Sequence, residues 1–484
     1  MKRYFSLILC ILLTICAVFS TSACKNNSPG ENSSRRKALR ILTDATECNG
    51  SELFPSELAE SIGNVLAYWQ ESHPDVQVSL EVLPDKEEER KAALQKLRTE
   101  IMAGQGPDVF LLPAGSTISV PDFAWLDPLF QNVEQAMRNK LFLDLTEYFN
   151  NDEELDHTAL NNQILDGGVV DGKRYVLPLG YNMPVLYVDT DRAKELGLDT
   201  EKLAAMNLYE LYDALYETKD AASVWGVTIG PPYMPFSLFS NLFDYDGGKV
   251  LLTAEEIEAY FEKRTPLLEF RKGYQSGFWA NHLSEYLNGN GAFVLNGKTA
   301  CYAGELSMAA DMLGLGKGLG MNLSAVPLRS ADGSVVADIT YWGAINANCE
   351  NPEEAYSFLH LFLQEEVQLQ KGFGEDYSTV CNKLRQGWPV LSDGSAETMW
   401  KMVLRRSSGI QNAVELNMPL VSIPFDDSDV EALLSAEIDE VRFTNPLEGK
   451  MMRLFGDVED RQEKTPEEAA KYMVTQLNYQ MAES

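Results

Sequence analysis

At 484 residues, with 45% of them hydrophobic, the chain has room for two or three domains and can bury large cores. Its 72 acidic residues against 40 basic ones leave a formal net charge of -32. That excess excludes nucleic acid and anionic membrane surfaces as electrostatic partners, because both need clustered Lys and Arg, and it says little about a neutral ligand.

The chain opens on an export leader. Lys2 and Arg3 supply its positive start, Phe5 to Phe19 its apolar stretch, and Thr21, Ser22 and Ala23 a small-residue cleavage site. The apolar stretch falls short of the roughly 20 residues a bilayer-crossing helix needs. The junction Thr21-Ser22-Ala23-Cys24 resembles the bacterial lipobox, in which the cysteine after the cut is acylated. Residues 1–23 are then a lipoprotein signal peptide, Cys24 carries the lipid, and the protein is held on the outer face of the cytoplasmic membrane; the alternative is an ordinary secretory leader with an incidental Cys24. Residues 24–37, polar and rich in Ser, Asn and Gly, read as a flexible tether. Of the remaining cysteines, Cys48, Cys301, Cys349 and Cys381, none forms a CxxC or CxxH pair, so zinc is unsupported and disulfides are permitted without being indicated.

Beyond the tether, strand and helix signals alternate. Ala38 to Thr43 reads as a strand. Leu58, Ile62, Val65, Leu66 and Trp69 recur at helical spacing until His73-Pro74. Val76, Val78, Leu80 and Val82 alternate with polar residues as a strand does. Leu94, Leu97 and Ile101 mark a second helix stopped by Gly104, and Asp108 to Leu112 a short buried strand. The order βαβαβ implies parallel strands with right-handed crossovers. Ligands in such sheets bind beyond the carboxyl ends of the strands, which here are Asp44 to Thr46 and Pro113 to Thr117.

Thr253 with Glu256, Asn351-Pro352 with Glu354, and Thr465-Pro466 with Glu468 predict helix starts of the capping-box kind. Several motifs fail on inspection. The segment 291–299 misses the P-loop spacing, and Asp244, Asp246 and Glu255 read as a turn before a helix cap, because Gly248 stands at a calcium-ligand position. The glycine-rich run Gly314 to Gly320 opens no helix signal and is expected to be a mobile loop. Four histidines and no GxSxG give a serine triad no support.

What remains is an ordered set of short segments: Gly104 to Val109; Gly172 to Pro178, followed by Tyr181-Asn182 and Val185 to Tyr187; Asn296 to Cys301, leading into Gly304-Glu305; Ala325 to Pro327; and Tyr341 to Asn346. With the leader, this set resembles the extracellular solute-binding proteins of ABC importers, the family that includes maltose- and oligosaccharide-binding proteins. The resemblance implies two doubly wound α/β lobes joined by a hinge, in the periplasmic-binding-protein manner. Residues 38–156 plus 328–382 would form the first lobe and residues 157–327 plus 383–484 the second. A solute, by the same analogy a carbohydrate, is enclosed between them, binding shifts the population toward the closed form, and that form docks on a permease. The implied partners are the solute, the permease subunits and the membrane through the lipid anchor. No enzyme activity, cofactor or metal is implied, and a monomer is expected.

By the same analogy, ligand contacts fall on Asp44, Thr46, Pro113, Ala114, Gly115 and Ser116 in the first lobe and on Tyr181, Asn182, Gly304 and Glu305 in the second. Tyr341 and Trp342 belong to the same set. Tyr181 is alternatively a core tyrosine, and Glu305 alternatively the cap of a helix start. Trp342 is either an aromatic plate for a sugar face or a buried tryptophan. Two other functions stay open: an exported lipoprotein hydrolase acting on glycans, and a sensor lipoprotein signalling occupancy to a membrane receptor.

Overall fold

The computed structural model describes residues 37–44, 57–84, 86–114, 127–218, 242–244, 247–272, 300–369, 387–392, 427–444 and 464–483, with single positions between them. Cys24, Thr46, Gly115, Ser116 and the segment 291–299 lie outside the described residues.

The first part of the chain folds as its periodicity predicts. Strand β1 (Ala38–Asp44), helix α1 (Glu57–Ser72), strand β2 (Gln77–Leu83), helix α2 (Glu87–Met102) and strand β3 (Val109–Pro113) follow in order, with β1 parallel to both other strands. Three glutamates in the first turn of α2 complement its dipole. Gly104, at φ 72°, takes the left-handed turn that ends the helix and returns the chain to the sheet.

The chain continues through β4 (Val176–Asn182) and β5 (Pro184–Asp189), separated by Met183 alone, and helix α3 (Leu208–Glu217). Helix α4 (Ala254–Lys272), strand β6 (Cys301–Glu305), helix α5 (Ala309–Gly318) and strand β7 (Leu323–Pro327) follow. Strand β8 (Val336–Ile345), helix α6 (Pro352–Leu359), strand β9 (Glu440–Phe443) and helix α7 (Pro466–Glu483) complete the elements needed here.

Two sheets result. The first has six strands: β8 pairs along one edge with β9 and then β3, and along the other with β4. The second has three strands in antiparallel pairing, with β5 between β6 and β7. The backbone passes from the first sheet to the second at Met183 and returns through residues 328–335. Strands β4 and β9 of the first sheet come from segments that the sequence division gives to the second lobe.

Period-two alternation sorts side chains to opposite faces of each sheet. Trp342 and Ala344 join Phe110, Leu112 and Phe443 in one core, whereas Tyr341 and Ile345 join Ile41, Leu111 and Phe358 in another. That second core continues into Val185, Tyr187 and Met312 of the second sheet and its helix. Leu186 and Val188, on the other face of β5, pack with Leu211, Ile257 and Met473 of α3, α4 and α7.

The reciprocal capping boxes form at Thr253/Glu256 and Thr465/Glu468. Two expectations are corrected. Asn351 caps nothing with its side chain, which donates to the Ala38 carbonyl instead, and Pro352 alone sets the start of α6. The glycine-rich run from Gly314 is the second half of helix α5, not a loop, because Met312, Leu313 and Leu315 are buried and outweigh the weak helix propensity of glycine.

Candidate functional site

The β4–β5 crossing gathers a connected set of polar side chains. Asn182, the last residue of β4, uses its whole amide. Its Nδ2 donates to Glu305 Oε2 at 2.5 Å and to Ser307 Oγ at 3.3 Å, and its Oδ1 accepts from the backbone N–H groups of Met183 and Ser307. The end of the first sheet is thereby tied to the turn after β6. Glu305 itself is partly exposed, and its Oε1 has no partner among the described residues. Burial pushes its carboxyl up to about 7, even though Asn182 and Ser307 stabilise the charged form; the nearby Asp338 carboxylate adds to the rise.

Asp338 lies directly across the ladder from Asn182 on one side and from Arg442 on the other. Its Oδ1 accepts from Arg442 Nε at 2.9 Å, and Arg442 Nη1 donates to the Phe239 carbonyl at 3.1 Å, in the core of the second sheet. Asp338 is 3% exposed and Arg442 7%, yet Asp338 Oδ2 and Arg442 Nη2 have no hydrogen-bond partner, and nor does Thr340 Oγ1 two residues along β8. Nearly all buried polar groups in folded proteins are paired, so the open oxygen and nitrogen of the Asp338–Arg442 pair ask for a missing partner. The β4–β8 register slips at this point, between Ile339 and Trp342, as bulges do beside binding sites.

Sequence reasoning missed Asp338, Thr340, Ser307 and Arg442. The signal was present in part, since Asp338 and Thr340 interrupt an otherwise apolar strand. The partner of Asp338, Arg442, lies 104 positions away, and nothing in a single chain announces such a pair.

The expected contacts divide into two groups. Asn182 and Glu305 meet at the junction, and Gly304 sits beside them with no space for a side chain: a Cβ there would stand 2.8 Å from Tyr302 and 3.1 Å from Tyr187. Pro113 and Ala114 flank it, with the Ala114 N–H donating to the Thr340 carbonyl. Asp44 is instead held by Arg90, which bonds both of its carboxylate oxygens at 2.8 and 2.5 Å in a pair 2–3% exposed. Tyr181 is buried in the core shared by the two sheets, its backbone laddered to Trp388. The Tyr341 hydroxyl donates to the Leu111 carbonyl. Trp342, 1% exposed, stands among Phe130, Phe142 and Phe443, its indole N–H without a partner.

A half-open groove of about 630 Å³ also lies on the helix layer of the first sheet, lined by Tyr68, Leu155, Asp156, Leu160, Leu363 and Glu366 among others. It shares no residue with the junction.

The family model described as bacterial extracellular solute-binding protein matches residues 55–369. An extracellular solute-binding protein of family 1 from Alicyclobacillus acidocaldarius superposes with a TM-score of 0.55 at 14% identity, covering 94% of this chain and 100% of its own. A de novo designed cysteine esterase gives 0.52 at 16% identity, with 93% and 98% covered. An ABC substrate-binding protein from Listeria monocytogenes in complex with cycloalternan gives 0.49 at 14%, with 92% and 99% covered. At these identities the likeness is one of fold, and that fold is the two-lobed α/β architecture of periplasmic binding proteins.

Proposed function

The chain belongs to the bacterial extracellular solute-binding proteins, and from that premise we propose that it is a lipid-anchored receptor that captures a carbohydrate at the sheet junction and delivers it to an ABC importer. The observation that carries the solute class is the set of open polar atoms. Asp338 Oδ2 and Glu305 Oε1 accept, Arg442 Nη2 donates, and Thr340 Oγ1 does either. Hydroxyls of a neutral sugar can satisfy all four, because each both donates and accepts. A cation would satisfy the carboxylates and leave the guanidinium open.

Met183 and residues 328–335 then serve as the crossings between lobes, and opening there wets the junction. Asn182 acts as a positioning residue for Glu305, since its own amide is fully engaged. Asp44 and Trp342 support the first lobe from within.

The test is a thermal-shift screen of sugars, amines and peptides, in which a solute at 100 times its dissociation constant adds about 2.7 kcal/mol of stability. A sugar hit whose affinity falls in Asp338→Asn supports the reading. A response only to polyamines or peptides overturns the carbohydrate class, and oligosaccharide cleavage on long incubation would favour the hydrolase. Anchoring is checked separately: Cys24→Ser should move the protein from the membrane to the soluble fraction.

A further inference from the structure

Glu305 is partly exposed and has one carboxylate oxygen left over. Its Oε2 is fixed by Asn182 from the first sheet and by Ser307, while Oε1 has no partner among the described residues. The charged and titratable groups around it are few. Strand β5 contributes Tyr187, whose hydroxyl donates to the Glu305 carbonyl at 2.7 Å, and β6 contributes Tyr302. Strand β8 contributes the Asp338 carboxylate, and β9, behind it, contributes Arg442 and Glu440. Arg442 is already committed to Asp338 and the Phe239 carbonyl. Among the described residues Glu305 thus has a like charge nearby and no cation paired with it.

We propose that capture of a neutral solute draws a proton onto Glu305, so that binding is linked to pH through this one side chain. The inference rests on the carbohydrate reading above. Closing a neutral sugar over Oε1 removes its remaining water, which penalises the anion further, and leaves a protonated Oε1 able to donate to a hydroxyl. The carboxyl already sits at about 7 before any solute arrives, so the added penalty acts where the group is half protonated. A cationic solute would have the opposite sign, because it would stabilise the anion and expel the proton.

The experiment is calorimetric titration near pH 7 in two buffers of different ionisation enthalpy, using the sugar of strongest thermal shift from a panel of gluco- and manno-oligosaccharides. If the bound state holds the proton about one pH unit more tightly, uptake is about 0.4 proton per solute at pH 7, and affinity falls about five-fold from pH 6 to pH 8. In Glu305→Gln both effects should vanish, while the Gln oxygen still accepts from Asn182. Proton release, zero exchange, or uptake that persists in Glu305→Gln overturns this inference alone. Failure of every sugar to bind overturns the carbohydrate reading and this inference with it.

Discussion

The side chains of the junction carry opposite demands on stability and binding, and single substitutions should separate them. Thr340→Val removes a buried hydroxyl that has no partner, so the unfolding midpoint in urea should hold or rise, whereas sugar affinity should drop by about ten-fold, or about 1.4 kcal/mol. Trp342→Ala should do the reverse, costing about 3–5 kcal/mol of stability through the void left among Phe130, Phe142 and Phe443. A near-native midpoint in that variant would remove Trp342 from the core. Glu305 also shapes the pH dependence of folding. Its folded carboxyl titrates near 7, above the ordinary 4.5, so the folded state binds its proton more tightly than the unfolded one. The contribution of Glu305 to stability is therefore fully present below about 4.5 and lost as pH rises through 7, and that part of the slope should disappear in Glu305→Gln.

Elements show how much of the fold was legible and where legibility stopped. The βαβαβ start could be read because its signals are local: periodicity within each segment, Pro74 and Gly104 as stops, and boxes such as Thr465/Glu468 that form as spelled. Helix α5 could not be read from Gly314 to Gly320, because tertiary burial of its leucines decides it and propensity does not. The candidate junction was half legible. Asn182 and Glu305 belong to local segments, whereas Arg442 enters through a strand added late in the chain. Asp44 stands at the strand end expected for it, and Arg90 of α2, 46 positions on, occupies both its oxygens. That pair makes its own prediction. Asp44→Asn should cost about 3–5 kcal/mol by leaving the Arg90 guanidinium buried and uncompensated, and Asp44→Leu combined with Arg90→Met should recover much of the loss. Denaturant midpoints of the two variants beside the parent protein decide it.

At the scale of the molecule, the two sheets are joined by one very short crossing and one longer one, and a solute held at the first should draw the lobes together. Small-angle scattering is expected to show a smaller radius of gyration at saturating sugar, and an unchanged radius would argue against hinge closure. The short crossing has a further consequence, which concerns length variation. With Met183 alone between β4 and β5, the pleat runs on from one sheet into the other, and its parity sends Val185 and Tyr187 to the shared core and Leu186 and Val188 to the helical one. One inserted residue would exchange the two sets and turn both cores inside out, whereas two would restore the pattern and merely lengthen the strand. Changes in chain length at this point should thus be tolerated only in even steps, a selection rule that no comparable position in the residues 328–335 connection has to obey.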